Sequence, residues 1–386
     1  MNKTLLYHDT FLMKGGAERM NIEIAKLLDA DIATAIWSKD CYNAREMGFL
    51  GKVAEVNPGF KVGMYGFIRM KFLFLISLFS QKIGTLELAS YKRIIFSNES
   101  ISAIWGVKKD IKTMYYAHSI SRHLFDQYDL YLSKVPLVLR PFYMIFAFFL
   151  RSIYIREVRK IGTVFVNSIK NQERMKEWIG RSDSIVLSPP VDTHLFREID
   201  TYTLSQVFAI EGIPLSHKDY YLSFSRLTHA KRIDIIIEAF KQMPDKKVLI
   251  LYGKNDSQRE EFMNLAHGYD NIVFRVLSEN KHLPHIINSS IASIAISKEE
   301  DFGMVTIESL ACGIPVLAVN SGGYRETMKP GITGFLIPED GLQNNIVKAI
   351  NFVHKDDFIA MKLACIRRSE TYSLDLFKER FMEYIK

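Results

Sequence analysis

Cysteine is scarce in this chain: 386 residues hold three. Cys41, Cys312 and Cys365 are far apart and form no CxxC or Cys/His spacing. This excludes a disulfide framework and a zinc-ligand set, and fits free, mostly buried thiols in a reducing cytoplasm. Internal repeats and low-complexity tracts are also missing. With 48% hydrophobic and 24% charged residues, that leaves a globular composition and no case for disorder. The Gly-x-Gly-x-x-Gly pattern is absent, which counts against a nicotinamide enzyme. The first apolar run, Thr4 to Tyr7, is too brief for a signal-peptide core, so export is not expected. Pro141 to Leu150, an apolar run bounded by Arg140 and Arg151, falls short of the roughly 20 residues that a bilayer span needs.

What the chain has instead is length, basic charge and alternating structure. Its size exceeds that of one ordinary core and predicts two domains. The net charge of +7 suits nucleic acid, an anionic membrane face or phosphorylated ligands. Basic residues interleave with aromatic and aliphatic runs in two places, without an RNA-type stacking motif. Membrane contact therefore outranks nucleic acid, and no nucleic-acid partner is expected.

Short apolar strands bounded by turn residues are predicted at Thr4–His8, Ile32–Trp37, Arg93–Ser97, Thr113–His118, Thr163–Asn167 and Ser184–Ser188. Pro189 and Pro190 cannot continue a central strand and set the expected domain boundary near residue 189. The stretch from Pro189 to about Leu215 lacks sustained periodicity. Strands Tyr220–Ser225, Lys247–Tyr252, Ile272–Val276, Ile291–Ser297 and Val316–Val319 then alternate with helices, the pattern of a doubly wound parallel sheet. Ligands bind beyond the carboxyl ends of such strands, so the loops there should carry the chemistry.

The loop after Ile291–Ser297 reads Lys298-Glu299-Glu300-Asp301-Phe302-Gly303, and the helix beginning near Met304 contains Glu308. If wholly helical, the span from Glu300 to Glu308 covers about 12 Å, and the two carboxylates do not share a face. They cannot act as a paired acid and base. Two carboxylates flanking a helix start suit a long, hydroxyl-rich anionic ligand. A solvated loop residue and a helix-surface residue fit the spacing equally well.

Glu300 to Glu308, followed by Ser309-Leu310-Ala311-Cys312-Gly313-Ile314-Pro315-Val316, closely resembles the E-x7-E signature of retaining glycosyltransferases of family 4. The match continues through Ser321–Glu326 and Gly331–Leu336. The resemblance implies an α/β protein of the GT-B fold, with two Rossmann-like doubly wound domains facing a central cleft. Residues 1–188 would form the acceptor-binding domain and 189–367 the nucleotide-sugar-binding domain. A C-terminal helix, 368–386, would return to the first. Glu300 is then expected at the hydroxyls of the donor sugar and Glu308 at the ribose. The Phe302, Gly303, Met304 and Val305 stretch is expected against sugar and phosphates, with Gly303 allowing close backbone approach. Arg226 and Lys231, in Ser225–Asp234, look like the family's Arg and Lys pair, which stabilise a departing nucleoside diphosphate without a metal or cofactor. A Gly commonly follows that Lys, whereas this chain has Arg232.

In the first half, Gly15 and Gly16 read by themselves as a plain turn. The family places a Gly-rich loop there, facing the donor. His118, Arg122 and Asp126 resemble the His-x-x-x-Arg-x-x-x-Asp region of a subgroup that includes mannosyltransferases of bacterial O-antigen assembly. That resemblance implies mannose from GDP-mannose, with His118 in the sugar or acceptor pocket and Arg122 as an acceptor-side cation. Glu300, His118, Arg226 and Lys231 are the expected catalytic group. The acceptor would be a glycan or polyprenyl-linked hydroxyl in surface-glycan synthesis. Asp29-Ala30-Asp31 reads as turn chemistry, and no metal is expected. Lys61–Lys82 and Pro141–Leu150 suggest peripheral attachment to the inner face of the cytoplasmic membrane, although a buried helix fits the former equally well. Three rival readings remain. They are a transferase using a UDP-sugar, a nucleotide-sugar epimerase or hydrolase of the same fold, and a non-catalytic membrane-associated scaffold.

Overall fold

A computed structural model describes residues 3–55, 82–83, 86–98, 100–101, 104, 107–253, 256 and 258–385. Of the aromatic-basic segment 61–82, all but residue 82 lies outside the described residues. The chain divides into two compact units, Met1–Leu187 and Ser188–Lys386, and the helix Leu374–Ile385 is grouped with the second.

The main sheet of the first unit contains β1 (Thr4–His8), β2 (Asp31–Thr34), β3 (Val53–Glu55), β4 (Arg93–Ser97), β5 (Lys112–Ala117), β6 (Thr163–Val166) and β7 (Ile185–Val186). Its order is β7-β6-β5-β4-β1-β2-β3, with every neighbouring pair parallel. All five residues of β1 are buried, because crossover helices cover both faces of a parallel sheet. Helix α1 (Gly16–Leu27) follows β1 and buries Met20, Ile22, Ile24 and Ala25 at helical spacing. Helix α2 (Arg140–Lys160) runs for 21 residues, twice the ten-residue apolar run expected. With the preceding turn, Leu137–Lys160 is long and apolar enough to cross a membrane by length and composition, which corrects the expectation that the run is too short.

In the second unit the sheet strands are β8 (Tyr221–Phe224), β9 (Val248–Leu251), β10 (Ile272–Arg275), β11 (Ser293–Ala295), β12 (Val316–Val319) and β13 (Gly334–Ile337). They are parallel throughout, in the order β10-β9-β8-β11-β12-β13. Successive side chains point to opposite faces. Tyr221, Val248 and Ile250 join one hydrophobic core, while Leu222, Leu249 and Leu251 join the other. Full burial of each such side chain stabilises the fold by about 1.5–3 kcal/mol. Helices α3 (Ile233–Lys241) and α4 (Met304–Ala311) follow β8 and β11.

Two further expectations need correction. The run Ile32–Trp37 breaks after Thr34. The Thr34 hydroxyl and the Ala35 N–H both turn to the Asp9 carbonyl, and Ile36–Trp37 pairs instead with Thr10–Phe11 in a separate short sheet. The stretch after Pro189 contains a helix, Thr201–Glu211, capped by the Asp200 carboxylate at Thr203 N and closed by Gly212 at φ +60°. Its buried Leu204, Val207 and Phe208 keep helical spacing. In the Asp29-Ala30-Asp31 turn, Asp29 takes φ +47°, and the Asp31 carboxylate accepts from Tyr91 Oη at 2.6 Å and Lys52 N at 2.8 Å.

Candidate active site

In the second unit the strand order, numbered within the sheet, is 3-2-1-4-5-6. The order in which strands are added reverses between the parallel strands β8 and β11, so the loops leaving these two strands diverge and open a crevice beyond their carboxyl ends. The loop after β8 carries Arg226 and Lys231; the loop after β11 carries Glu300. Lys231 Nζ donates to Glu300 Oε2 at 2.8 Å, and both side chains are about three-quarters buried. Arg226 is exposed on the same loop. The Lys298 N–H donates to the Ala230 carbonyl at 2.8 Å, joining the two loops through backbone as well. Asp256 braces the first of them, accepting from Leu227 N at 2.8 Å and Gly253 N at 3.0 Å.

Arg232 stands where the family commonly has Gly. It takes φ +55°, the left-handed conformation that Gly adopts most easily, at the N-cap of α3. Its guanidinium pairs with Glu339, beyond β13, which holds the strained residue in place.

The Glu300 loop reaches α4 through Gly303, at φ +92°. A Cβ there would meet the Tyr324 ring at 2.9 Å, and Tyr324 is fully buried. Gly322 and Gly323 lie equally close to the loop: a Cβ on either would come within 2.4 Å of the backbone at Glu300 or Phe302. The Gly323 N–H donates to the Glu300 carbonyl at 2.9 Å. Phe302 turns its ring into the core, edge-on to Tyr372. Met304 and Val305 open α4 and are partly buried, as is Glu308 one turn on. The N-cap Gly303 has no side chain to cap α4, and the positive end of the helix dipole faces the loop region.

The first unit has a reversal of its own, between β1 and β4. Gly15 is the N-cap of α1 and Gly16 its first residue, with the Glu18 carboxylate of the first turn lying against Gly15. At the two strand ends, His8 Nδ1 lies 3.1 Å from Ser97 Oγ, which also accepts from Asn21 Nδ2 at 3.0 Å. His118 follows β5. Its carbonyl accepts from Asn167 Nδ2 at 2.6 Å, while its buried ring, 6.5 Å from that of His8, has no hydrogen-bond partner at Nε2 among the described residues. Burial holds both imidazoles below the ordinary range, His118 well below it, so both are neutral near pH 7. Arg122 is held by Asp126 at 2.9 Å, and Asp126 also accepts from Arg174 at 2.9 Å. One carboxylate is thus shared by two guanidiniums.

Residues 209–371 match the family model of glycosyl transferases group 1. Over 160 residues, 39% of this chain, the sequence is 28% identical to a D-inositol 3-phosphate glycosyltransferase of Mycobacterium sp. (strain JLS). That match spans 35% of the relative, about a third of its length. Two solved structures superpose over nearly the whole chain. Anabaena HepE in complex with UDP and glucose gives a TM-score of 0.75 at 18% identity, covering 99% of this chain and 98% of its own. WaaG, a glycosyltransferase involved in lipopolysaccharide biosynthesis, gives 0.72 at 15% identity, covering 99% of each chain. The chain has the GT-B fold, with two Rossmann-like domains.

Within the second unit, the arrangement offers a carboxylate for hydroxyl groups, a lysine for an anion and a helix start with glycine at its N-cap. These lie at the sheet position where open α/β sheets bind ligands. Residue types and spacing alone had not identified Asp256, Tyr324, or the Arg232 and Glu339 pair, all of which shape the two loops. His8 and Ser97 had a faint signal, as polar residues ending otherwise apolar strands.

Proposed function

We propose that the chain is a retaining, metal-independent glycosyltransferase that moves a hexose from a nucleoside-diphosphate sugar to an acceptor hydroxyl. The observation that carries the reading is the Lys231 and Glu300 pair at the reversal point of the second sheet. In the reaction the bond from the anomeric carbon to the diphosphate oxygen breaks, and negative charge develops on the leaving group. Lys231 and Arg226 stabilise that charge, with the α4 N-terminus adding the field of its dipole. Lys231 then exchanges Glu300 for phosphate, and the released carboxylate accepts from sugar hydroxyls. The acceptor oxygen bonds to the anomeric carbon on the face the diphosphate leaves, and its proton passes to the diphosphate, so configuration is retained. Glu308 holds the ribose, and His118 offers its neutral Nε2 to a sugar or acceptor hydroxyl.

The sugar we favour is mannose from GDP-mannose, on the strength of the His118, Arg122 and Asp126 pattern. The acceptor would be a glycan or polyprenyl-linked hydroxyl. A UDP-sugar donor is the second reading, favoured by the complexes of HepE with UDP and with UDP-glucose. Thermal unfolding with GDP, UDP, ADP and their sugars separates the two, because a ligand that binds only the folded state raises its melting temperature. Protection by GDP and GDP-mannose supports the first reading, and protection by UDP ligands supports the second. Protection by none of them contradicts both.

A further inference from the structure

Helix α2 is divided along its length as well as across it. Across it, Ala147, Tyr154, Glu157 and Val158 are buried, with Tyr143 and Leu150 packed against the same core. That stripe anchors the helix to the first unit. Away from the stripe, the N-terminal half presents Phe142, Ile145, Phe146 and Phe149, spaced i, i+3, i+4 and i+7, each 59–71% exposed. The turn just before it adds Leu137 and Val138, 75% and 82% exposed. Along the helix, this apolar half gives way to exposed Arg156, Arg159 and Lys160. Between Lys134 and Lys160 there are six basic residues, and the one acid, Glu157, is buried. An apolar hollow of about 620 Å³ opens beside the helix, lined by Tyr128, Met144, Ile145, Phe148, Phe149 and Arg151. The Arg151 guanidinium lies over the Phe125 and Tyr128 rings at 5.4 Å from each.

We propose that this face seats the first unit on an anionic lipid surface. The Leu137 turn and the apolar half of α2 enter the acyl region, and the cations at the C-terminal end of α2 lie among the phosphates. The helix lies on the bilayer rather than crossing it, because its buried stripe stays packed on the protein. Charge decides between lipid and a second copy. Two copies joined through this face would bring the basic residues of two such segments together, whereas anionic headgroups attract them. The inference goes beyond the transfer reading and does not depend on it. A protein without nucleotide binding could still sit on lipid, and a transferase could remain in solution.

The test is flotation of the whole chain with phosphatidylcholine vesicles that contain or lack phosphatidylglycerol, at low and high salt. The protein should float with the phosphatidylglycerol vesicles, less so as salt rises. F142S/F146S/F149S should lower partitioning about tenfold or more per lost ring, the scale of burying one aromatic side chain. R156Q/K160Q should lower it only on anionic vesicles. The same variants should unfold cooperatively at temperatures close to wild type, which shows them folded. Wild-type protein left behind by both vesicle types would overturn the proposal. So would a wild-type dimer in sedimentation that the three serines dissociate, since the face would then be covered by protein.

Discussion

Replacing Gly303 by Ala tests the geometry that leads the Glu300 loop into α4. Two costs are legible at this position. Alanine must adopt φ +92°, in a region that L-residues enter at a cost of about 1–2 kcal/mol. Its Cβ must also displace the Tyr324 ring, which it would meet at 2.9 Å, with Thr306 Oγ1 at 3.3 Å. Overpacking of a full core costs about 1–3 kcal/mol. Together they predict a loss of about 2–5 kcal/mol, or on the order of 10 °C in melting temperature for a unit of this size. Urea unfolding with Gly331→Ala as the reference separates the two terms. Gly331 takes φ +75° with no atom within 4 Å of its virtual Cβ, so only the backbone cost applies there. Tyr324→Leu should recover part of the loss in the Gly303→Ala background and none in the Gly331→Ala background. If Gly303→Ala costs no more than Gly331→Ala, the packing of Gly303 on Tyr324 is wrong.

Arg232→Gly removes backbone strain while losing a partly exposed ion pair, effects of about 1 kcal/mol each and opposite sign. Its stability should lie within about 1 kcal/mol of wild type. Glu339→Gln should destabilise wild type by about 0.5–1 kcal/mol and the Arg232→Gly variant not at all, a double-mutant cycle read by urea unfolding. His8 and His118 have folded-state pKa values below the unfolded value of about 6.5, chiefly through burial, so below that pH the unfolded chain binds protons that the folded chain does not. Stability is therefore fully present above about pH 6.5 and falls by up to about 1.4 kcal/mol per pH unit for each histidine as the pH drops toward the folded values. His118→Gln should flatten the melting temperature profile between about pH 7 and about pH 5; an unchanged slope would show that His118 is not buried neutral.

The elements that sequence located best are the near-continuous apolar runs. Thr4–His8, Arg93–Ser97 and Val316–Val319 have their observed ends because both faces are covered and polarity changes abruptly at each end. The break at Ala35 has no such mark, since Ile32–Trp37 stays apolar and only hydrogen bonds to Asp9 interrupt it. The edge strands Val53–Glu55 and Gly334–Ile337 are short and partly exposed, and their patterns are correspondingly weak. Lys231 and Glu300 were each identified from local motifs, but their pairing, 69 residues apart, follows only from β8 lying next to β11. Gly303 was read for its approach to a ligand. The Tyr324 ring is a second requirement for glycine there, and Tyr324 is remote enough in sequence to leave no local sign.

The measurement that bears most directly on the proposed activity follows a labelled sugar from its nucleotide donor in wild-type protein, Glu300→Ala and Lys231→Met. Wild type should place the label on an acceptor with the anomeric configuration of the donor. Glu300→Ala and Lys231→Met should each lose at least about 100-fold in turnover, about 2.7 kcal/mol of transition-state stabilisation. Both variants should unfold at temperatures close to wild type. Undiminished transfer in Glu300→Ala would contradict the assignment of the site, and label recovered only as free sugar would contradict glycosyl transfer to an acceptor.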